Sequence, residues 1–507
     1  MTRVAIATSS QLAADAASEV AELGGNAVDC ALAASLVTMN TQPGVCALAG
    51  GAYVTVWEEG SQPITIDGNV AVPGRSLAPG TTIAPTPVRL GYGGGVDTVV
   101  GAGSVAVPGS LAALELAWRR YGAVPWAKLL EPAIRAARDG FPLPSACHHY
   151  LCYSGTPVFG RSQDGHAALH DAAGRLRAVG STVRVPHLAD SLEAIAREGT
   201  RIFYEGEIAG KIAEHVQQCG GALTLDDLRH YEAIVRDCLC VEMNDWCIAT
   251  NPPPAVGGAV LAAMLLAFRD REMARWDAAS LEYLMHVQRA ALAWRRERLD
   301  LSDNVSADAA YLLELARGGG LTGTTVSAST VHTSAVDDSG LGCSITASSG
   351  YGSGEMPAGT GLWLNNCLGE LELNRREPGA LPVGARLSSN MAPTVARSTD
   401  GILSIGTPGA DRITTALHQF LVNFLVLGLG IEDAIAHPRM HVDLASGGGR
   451  VALEPGLVFT PDTDLEVALF PEIGMYFGGV GAALFDRNSG FRTGADPRRE
   501  GATFVSS

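Results

Sequence analysis

Basic residues are in short supply in this chain: 36 Lys and Arg stand against 53 Asp and Glu, a formal net charge of −17 over 507 residues. A net charge of that sign repels a phosphate backbone, so no nucleic-acid partner is expected. Long apolar runs are missing as well. The most apolar stretch, from Phe420 to Ile431, is too short to cross a bilayer and is interrupted by Asn423 and glycines, so it reads as a buried helix and its end. No membrane partner is expected. The N-terminus MTRVAIATSSQLAADAASEV carries one Arg followed by small residues and then acids, without the apolar core of an export signal, and a cytoplasmic setting is expected. The ten cysteines include no CxxC pair, and Cys238 and Cys240 stand too close for a zinc knuckle, so reduced core thiols and no metal are expected. There is no internal repeat and no low-complexity segment. What is present is 47% hydrophobic and 18% charged residues, the composition of a large folded protein with ample core.

Local patterns place the first elements. Leu12 to Leu23 has helical spacing and stops at Gly24-Gly25-Asn26, followed by a second Ala- and Leu-rich helix from Ala27 to about Val37. Ala52 to Trp57 has strand propensity, with Pro63 to Asp67 as its hairpin partner. Helical periodicity recurs over Pro108–Phe141, Leu188–Leu228 and Ala278–Arg298, so the middle of the chain reads as mainly helical. Gly318 to Thr325 then marks a boundary or exposed loop. After it, Val331 to Val336 alternates like a strand, Asp337-Asp338-Ser339-Gly340 supplies turn chemistry, and Leu341 to Thr346 alternates back, a hairpin that begins at Thr330.

A hydroxyl residue heading a strand just after a flexible polar loop has a chemical use if the chain is cut before it. A threonine hydroxyl is a weak nucleophile alone, but a freed α-amino group with a pKa of about 7.7–8.0 can accept its proton from within the same residue. By hairpin pattern alone, Thr330 is equally one more strand threonine.

Several blocks carry a resemblance that decides between these readings: Gly24-Gly25-Asn26-Ala27-Val28-Asp29, Val107-Pro108-Gly109, Asn251-Pro252-Pro253-Pro254 with Gly257-Gly258, Thr330 to Asp337, Gly361 to Asn366, Leu387-Ser388-Ser389 with Met391-Ala392-Pro393-Thr394, and Gly406 to Arg412. Taken in order, they resemble the γ-glutamyltranspeptidase family of N-terminal nucleophile enzymes across nearly the whole chain. The resemblance implies an α/β fold of four-layer αββα sandwich type, two stacked, mainly antiparallel sheets between helical layers. It also implies a precursor that cuts its own Ser329–Thr330 bond, leaving a large-subunit region of residues 1–329 and a small-subunit region of residues 330–507 as one intertwined heterodimer. No cofactor is implied.

Roles follow by position. Thr330 matches the nucleophile, and Ser348 falls where the family keeps a second hydroxyl that orients it. Ser388 and Ser389 match the paired serines beside the substrate. Gly409 and Ala410 match the pair whose N–H groups form the oxyanion hole, provided Ala410 can adopt the backbone angles of a glycine. Two departures bear on the substrate. Asn69 stands where the γ-glutamyl enzymes carry an Arg for the α-carboxylate, and Cys367-Leu368-Gly369-Glu370 replaces the block that binds the α-ammonium, leaving only Glu370 as a carboxylate. Losing a charge-assisted partner costs roughly 2–5 kcal/mol. The expected ligand is therefore a small carbonyl or acyl compound that is not a standard γ-glutamyl substrate. Within the family this fits glutaryl-type acylases, and a subgroup that cleaves a carbon–carbon bond beside a carbonyl in alkylproline antibiotic biosynthesis. The alternatives are a true γ-glutamyl enzyme acting on glutathione-like amides and an inactive binding scaffold.

Other constellations carry less. His437 and His441 have i,i+4 spacing, but Pro438 lies between them and no Glu follows in a metalloprotease pattern. Gly350-Tyr351-Gly352-Ser353-Gly354 reads as a loop lining the site. His332 shares the face of Thr330 on a strand but is displaced by about 6–7 Å, which suits a packing role better than that of a base.

Overall fold

Strands whose two faces differ in chemistry explain why two sheets come to face each other. The computed structural model of the protein describes residues 2–78, 80–91, 95–318, 330–376, 379–444 and 449–506. Thirteen of its strands build two larger sheets: β1 (Val4–Thr8), β2 (Gly51–Trp57), β3 (Ile64–Gly68), β4 (Ile234–Asp237), β5 (Leu239–Met243), β6 (Trp246–Thr250), β7 (Val331–Asp337), β8 (Gly342–Ser348), β9 (Thr394–Arg397), β10 (Gly401–Gly406), β11 (Gly481–Asp486), β12 (Gly490–Ala495) and β13 (Ala502–Val505). The first sheet runs β13-β1-β7-β8-β2-β3-β4 and the second β12-β11-β10-β9-β6-β5. Every neighbouring pair in both is antiparallel.

On one face of the first sheet Val331, Ala335, Cys343, Ile345, Val54 and Val56 are apolar and pack against helices α1 (Gln11–Glu22) and α2 (Ala27–Thr41). The other face is rich in hydroxyls. There the register sets His332 opposite Thr346 and Ser334 opposite Ser344, and these groups reach the second sheet. Ser344 Oγ donates to Ile405 O at 2.9 Å, Ser404 Oγ to Cys343 O at 2.7 Å and Ser334 Oγ to Gly481 O at 3.0 Å. The far face of the second sheet returns to apolar residues, Ile248, Ala396, Leu403, Ala482 and Leu484, packed with helices α4 (Gly257–Phe268), α5 (Ala278–Glu297) and α6 (Arg412–Leu421). The remaining helix used below is α3 (Glu207–Gln218). The period-2 pattern thus becomes packing: the outer faces bury against helices, and between the sheets these hydrogen bonds stand beside an apolar cluster that includes Trp57, Val336, Val395, Ile402 and Ala483.

The first block of the chain acquires a physical reason. Gly24 adopts φ +86° and ends α1, while Asn26 and Asp29 form a reciprocal capping box at the start of α2. The Ala27 N–H donates to Asp337 Oδ2 at 3.0 Å, fastening that helix to the turn of the β7–β8 hairpin.

Both expected hairpins form, β2–β3 and β7–β8. The stretch expected to be a buried helix and its end, Phe420 to Ile431, is the close of α6 and a π-helical turn over Val422–Val426; residues 420–423 are buried, 424–427 are half-buried, and Gly428 and Gly430 are exposed. Two expectations need correction. Residues 234–250, inside the region read as mainly helical, are three strands. β4 and β5 are sheet-edge strands in which Ile234 and Val235 are exposed, so the alternation that would mark a half-buried strand is weak there. All ten cysteines are free thiols, but only five are buried, and Cys152, Cys219 and Cys240 are exposed. Among the described residues no helix is long and apolar enough to cross a membrane. The expected boundary loop lies, from residue 319 to 325, outside the described residues.

Candidate active site

Thr330 precedes β7, and the β7–β8 register, extended by one residue past Val331–Ala347, sets it opposite Ser348. It is 3% exposed, yet it borders two hollows. The narrow one, about 20 Å³, is also bordered by Asn69, Ser348, Glu370, Ser388, Ser389 and Ala410. Residues from five separate segments that the sequence singled out therefore converge on one place. Gly409 is the neighbour of Ala410, and Ser329 lies outside the described residues. On the other side of Thr330 a wider hollow of about 360 Å³ is bordered by Ser9, Gln42, Pro142, Pro408 and Arg499.

The serine pair is held by backbone approach. Ser389 O accepts the N–H of Val256 at 2.9 Å and of Gly257 at 3.1 Å, the start of α4. A Cβ on Gly257 would stand 2.1 Å from Asn390 O, and one on Gly258 1.9 Å from Asn251 O, so both glycines are needed for α4 to come this close. Asn251 Nδ2 donates to Met391 O at 2.9 Å. The block at Asn251 and Gly257-Gly258 is thus the support of the serine strap.

Asn69, expected beside the substrate, borders the narrow hollow, but its side-chain amide donates to Leu387 O at 2.8 Å. That donor is committed to the strap. Among the described residues no Lys, Arg or His borders the narrow hollow. Glu370 is presented by a turn that Asn365 and Asn366 tie down: Asn365 Oδ1 accepts from Ala106 N and Cys367 N, and Asn366 Oδ1 from Tyr351 N at 2.7 Å. Burial, with the Glu372 carboxylate nearby, pushes the Glu370 carboxyl up to about 8, so it is protonated at neutral pH.

Gly409 and Ala410 follow β10 and lead into α6. Among the described residues neither N–H has a hydrogen-bond acceptor. Ala410 holds φ +67° and Gly409 φ +130°, so the backbone angles that a glycine would adopt freely are imposed on a residue with a Cβ. Ala410→Gly is expected to stabilise the protein by about 1 kcal/mol while keeping the amide in place. Thermal melts of the two proteins at one scan rate check this, and a lower Tm for the glycine variant contradicts it.

Beneath this loop lies a charge cluster that carried no role in the sequence reading. Asp411 Oδ1 accepts from Arg295 Nη1 and from Asn390 Nδ2, each at 2.5 Å, and Arg295 Nε donates to Asp300 at 3.1 Å. One carboxylate thus ties the Gly409-Ala410 loop to the serine strap. Asp411 and Asn390 lie inside or beside blocks that the sequence marked, but nothing in those blocks signals Arg295.

The remaining candidates separate from the site. His332 hydrogen-bonds Thr346 Oγ1 at 2.9 Å and Ser334 Oγ at 2.7 Å, and burial pushes its ring down to about 3, so it is a neutral link within the polar face and not a base for Thr330. The expected site-lining loop stands behind the hollow: a Cβ on Gly350 would lie 2.3 Å from Asn366 Oδ1 and 3.0 Å from Glu370, so it backs Glu370 instead of facing the space. His441 bonds Thr415 Oγ1 at 3.0 Å, whereas His437 bonds the Pro438 carbonyl.

Thr330 thus heads a strand of one antiparallel sheet and borders a hollow that Ala410 also borders. Known relatives place the chain in a family. A family model for gamma-glutamyltranspeptidase matches residues 13–506. The "Glutathione hydrolase proenzyme" of Pseudomonas aeruginosa is 29% identical over 483 residues, 87% of this chain and 83% of that protein. The crystal structure of cephalosporin acylase from Bacillus halodurans superposes with TM-score 0.80 at 22% identity, covering 99% and 96% of the two chains. A solved LmbA2991HD chain gives TM-score 0.77 at 20% identity, covering 99% and 98%. The chain belongs to the gamma-glutamyltranspeptidase family, and is an enzyme of that hydrolase and transferase class.

Proposed function

We propose that the chain is a self-processing threonine hydrolase or acyltransferase, within a four-layer αββα sandwich, that acts on a short acyl compound without an amino-acid head. Its precursor opens at Ser329–Thr330, giving residues 1–329 and 330–507 as one heterodimer. The freed Thr330 α-amine takes the proton of Oγ1, which attacks the substrate carbonyl carbon. The N–H groups of Gly409 and Ala410 receive the oxyanion, worth about 10²–10³ per donor. Collapse breaks the bond to the leaving group, which departs with the proton, and water or an amine then releases the acyl group from Thr330. Ser348 orients the nucleophile, and Ser388, Ser389, Asn69 and Glu370 surround the acyl group. The protein is expected to work in the cytoplasm.

The observation that carries the substrate reading is the lining of the narrow hollow: among the described residues no cation borders it, and Glu370 is neutral. The carboxylate of an amino-acid head would meet no counter-charge there and its ammonium no carboxylate, whereas an uncharged acyl chain needs neither. The wider hollow beyond Thr330 suits the leaving group. Cleavage of a carbon–carbon bond beside a carbonyl, as in alkylproline antibiotic units, is a second reading favoured by the same missing clamp at Asn69.

Butyryl and γ-glutamyl p-nitroanilides test the proposal, since the first is the second without its ammonium and carboxylate. At pH 7 the processed enzyme is expected to turn over the butyryl compound at least about tenfold faster in kcat/KM, the loss of one charge-assisted contact. Because Glu370 ionises near 8, the ratio shifts toward the γ-glutamyl compound as pH rises through that value, when a carboxylate becomes available for the ammonium. Glu370→Gln abolishes that shift. Faster γ-glutamyl turnover at pH 7 overturns the substrate reading.

A further inference from the structure

Away from Thr330, three side chains of metal-binding type meet. His215 lies in α3 and Cys219 caps its C-terminal end, four residues on and on the same face. Glu355 comes from the loop after β8, and its Oε2 stands 2.8 Å from His215 Nε2. Ligand atoms of all three lie within 4.8 Å of one another. From this juxtaposition we propose that His215, Cys219 and Glu355 bind one divalent transition-metal ion, Zn²⁺ by preference, and so join the two parts of the chain on either side of the proposed cut.

Imidazole nitrogen, thiolate sulfur and carboxylate oxygen form a mixed set that suits zinc and not magnesium or calcium. Tetrahedral bonds of about 2.0–2.3 Å give ligand–ligand edges of about 3.3–3.8 Å. The His215–Glu355 contact must therefore open slightly and the longest separation close by about 1 Å, changes that side-chain rotation allows at a partly exposed site. His215 and Glu355 side chains are 25% and 13% exposed, so an ion can reach them while two of its ligands stay held by surrounding structure.

Two further features bear on the site. α3 ends here, with the Cys219 N–H donating to His215 O, so the negative end of the helix dipole faces the position of the ion. Glu355 is fixed from behind, its N–H donating to Ser353 Oγ at 3.2 Å. Binding converts the Cys219 thiol to thiolate and releases one proton. Three protein ligands leave a fourth position for water.

Co²⁺ titration of the EDTA-treated full chain tests the site. One equivalent is expected, with a near-ultraviolet thiolate-to-cobalt charge-transfer band displaced by Zn²⁺. Cys219→Ser abolishes the band, and His215→Ala weakens binding at least about tenfold. Circular dichroism confirms that both variants fold. Absence of the band, or its persistence in Cys219→Ser, overturns the proposal. None of these readouts uses turnover, so they stand or fall apart from the reading of Thr330.

Discussion

With Thr330 replaced by alanine, a denaturing gel is expected to show one band at 52.6 kDa, whereas the unsubstituted chain shows two, of 329 and 178 residues, the smaller beginning with Thr330. The same variant should lose at least about three orders of magnitude in kcat. In the proposed mechanism Oγ1 attacks both the Ser329 carbonyl and the substrate, so its removal is expected to stop processing and turnover together. Thr330→Ser keeps a hydroxyl and should still split, which separates lost chemistry from lost folding. A Thr330→Ala chain that splits at the same bond would falsify the self-processing mechanism. Because Thr330 is almost wholly buried while bordering both hollows, alanine leaves only a small void, and the fold is expected to persist.

Arg295→Met is expected to destabilise the protein by about 3–5 kcal/mol, because the Asp300 and Asp411 carboxylates then lose a shared counter-charge in a water-free place. At about 2.1 cal/mol/K per residue, that is a fall in Tm of roughly 3–5 °C, measured at fixed scan rate. Turnover should fall as well, since Asp411 holds Asn390 and adjoins Ala410. The triple variant Arg295→Met, Asp300→Asn, Asp411→Asn removes all three charges and should recover most of the stability. If Arg295→Met melts with the unsubstituted protein, the cluster is not holding the loop.

Much of the site is legible in sequence because backbone constraints leave marks. Gly257 and Gly258 must be glycine for a helix to reach a strap, and Asn365 and Asn366 must be amides to tie a turn from both sides, so such positions stand out as blocks. Thr330 needed the same blocks to distinguish it from other strand threonines. What sequence withholds is environment. The protonation of Glu370 arises from burial and from Glu372, and Arg295 is matched to Asp411 across 116 positions, with no local pattern to announce the pair. The same holds for β4 and β5, whose edge positions dilute alternation, and for Cys219, one more scattered thiol until Glu355 folds against it.

The strand order has a consequence for what an opening before residue 330 would leave behind. Residues ahead of that bond supply β1 to β6, those after it β7 to β13, and both larger sheets draw on each set. β1 is flanked on either side by strands from the later stretch, and β6 is laddered to β9. Neither fragment therefore owns a finished sheet. Dilution alone would not part them, because departure means unzipping whole ladders, and separately made halves would have to fold around each other instead of docking as ready-made bodies.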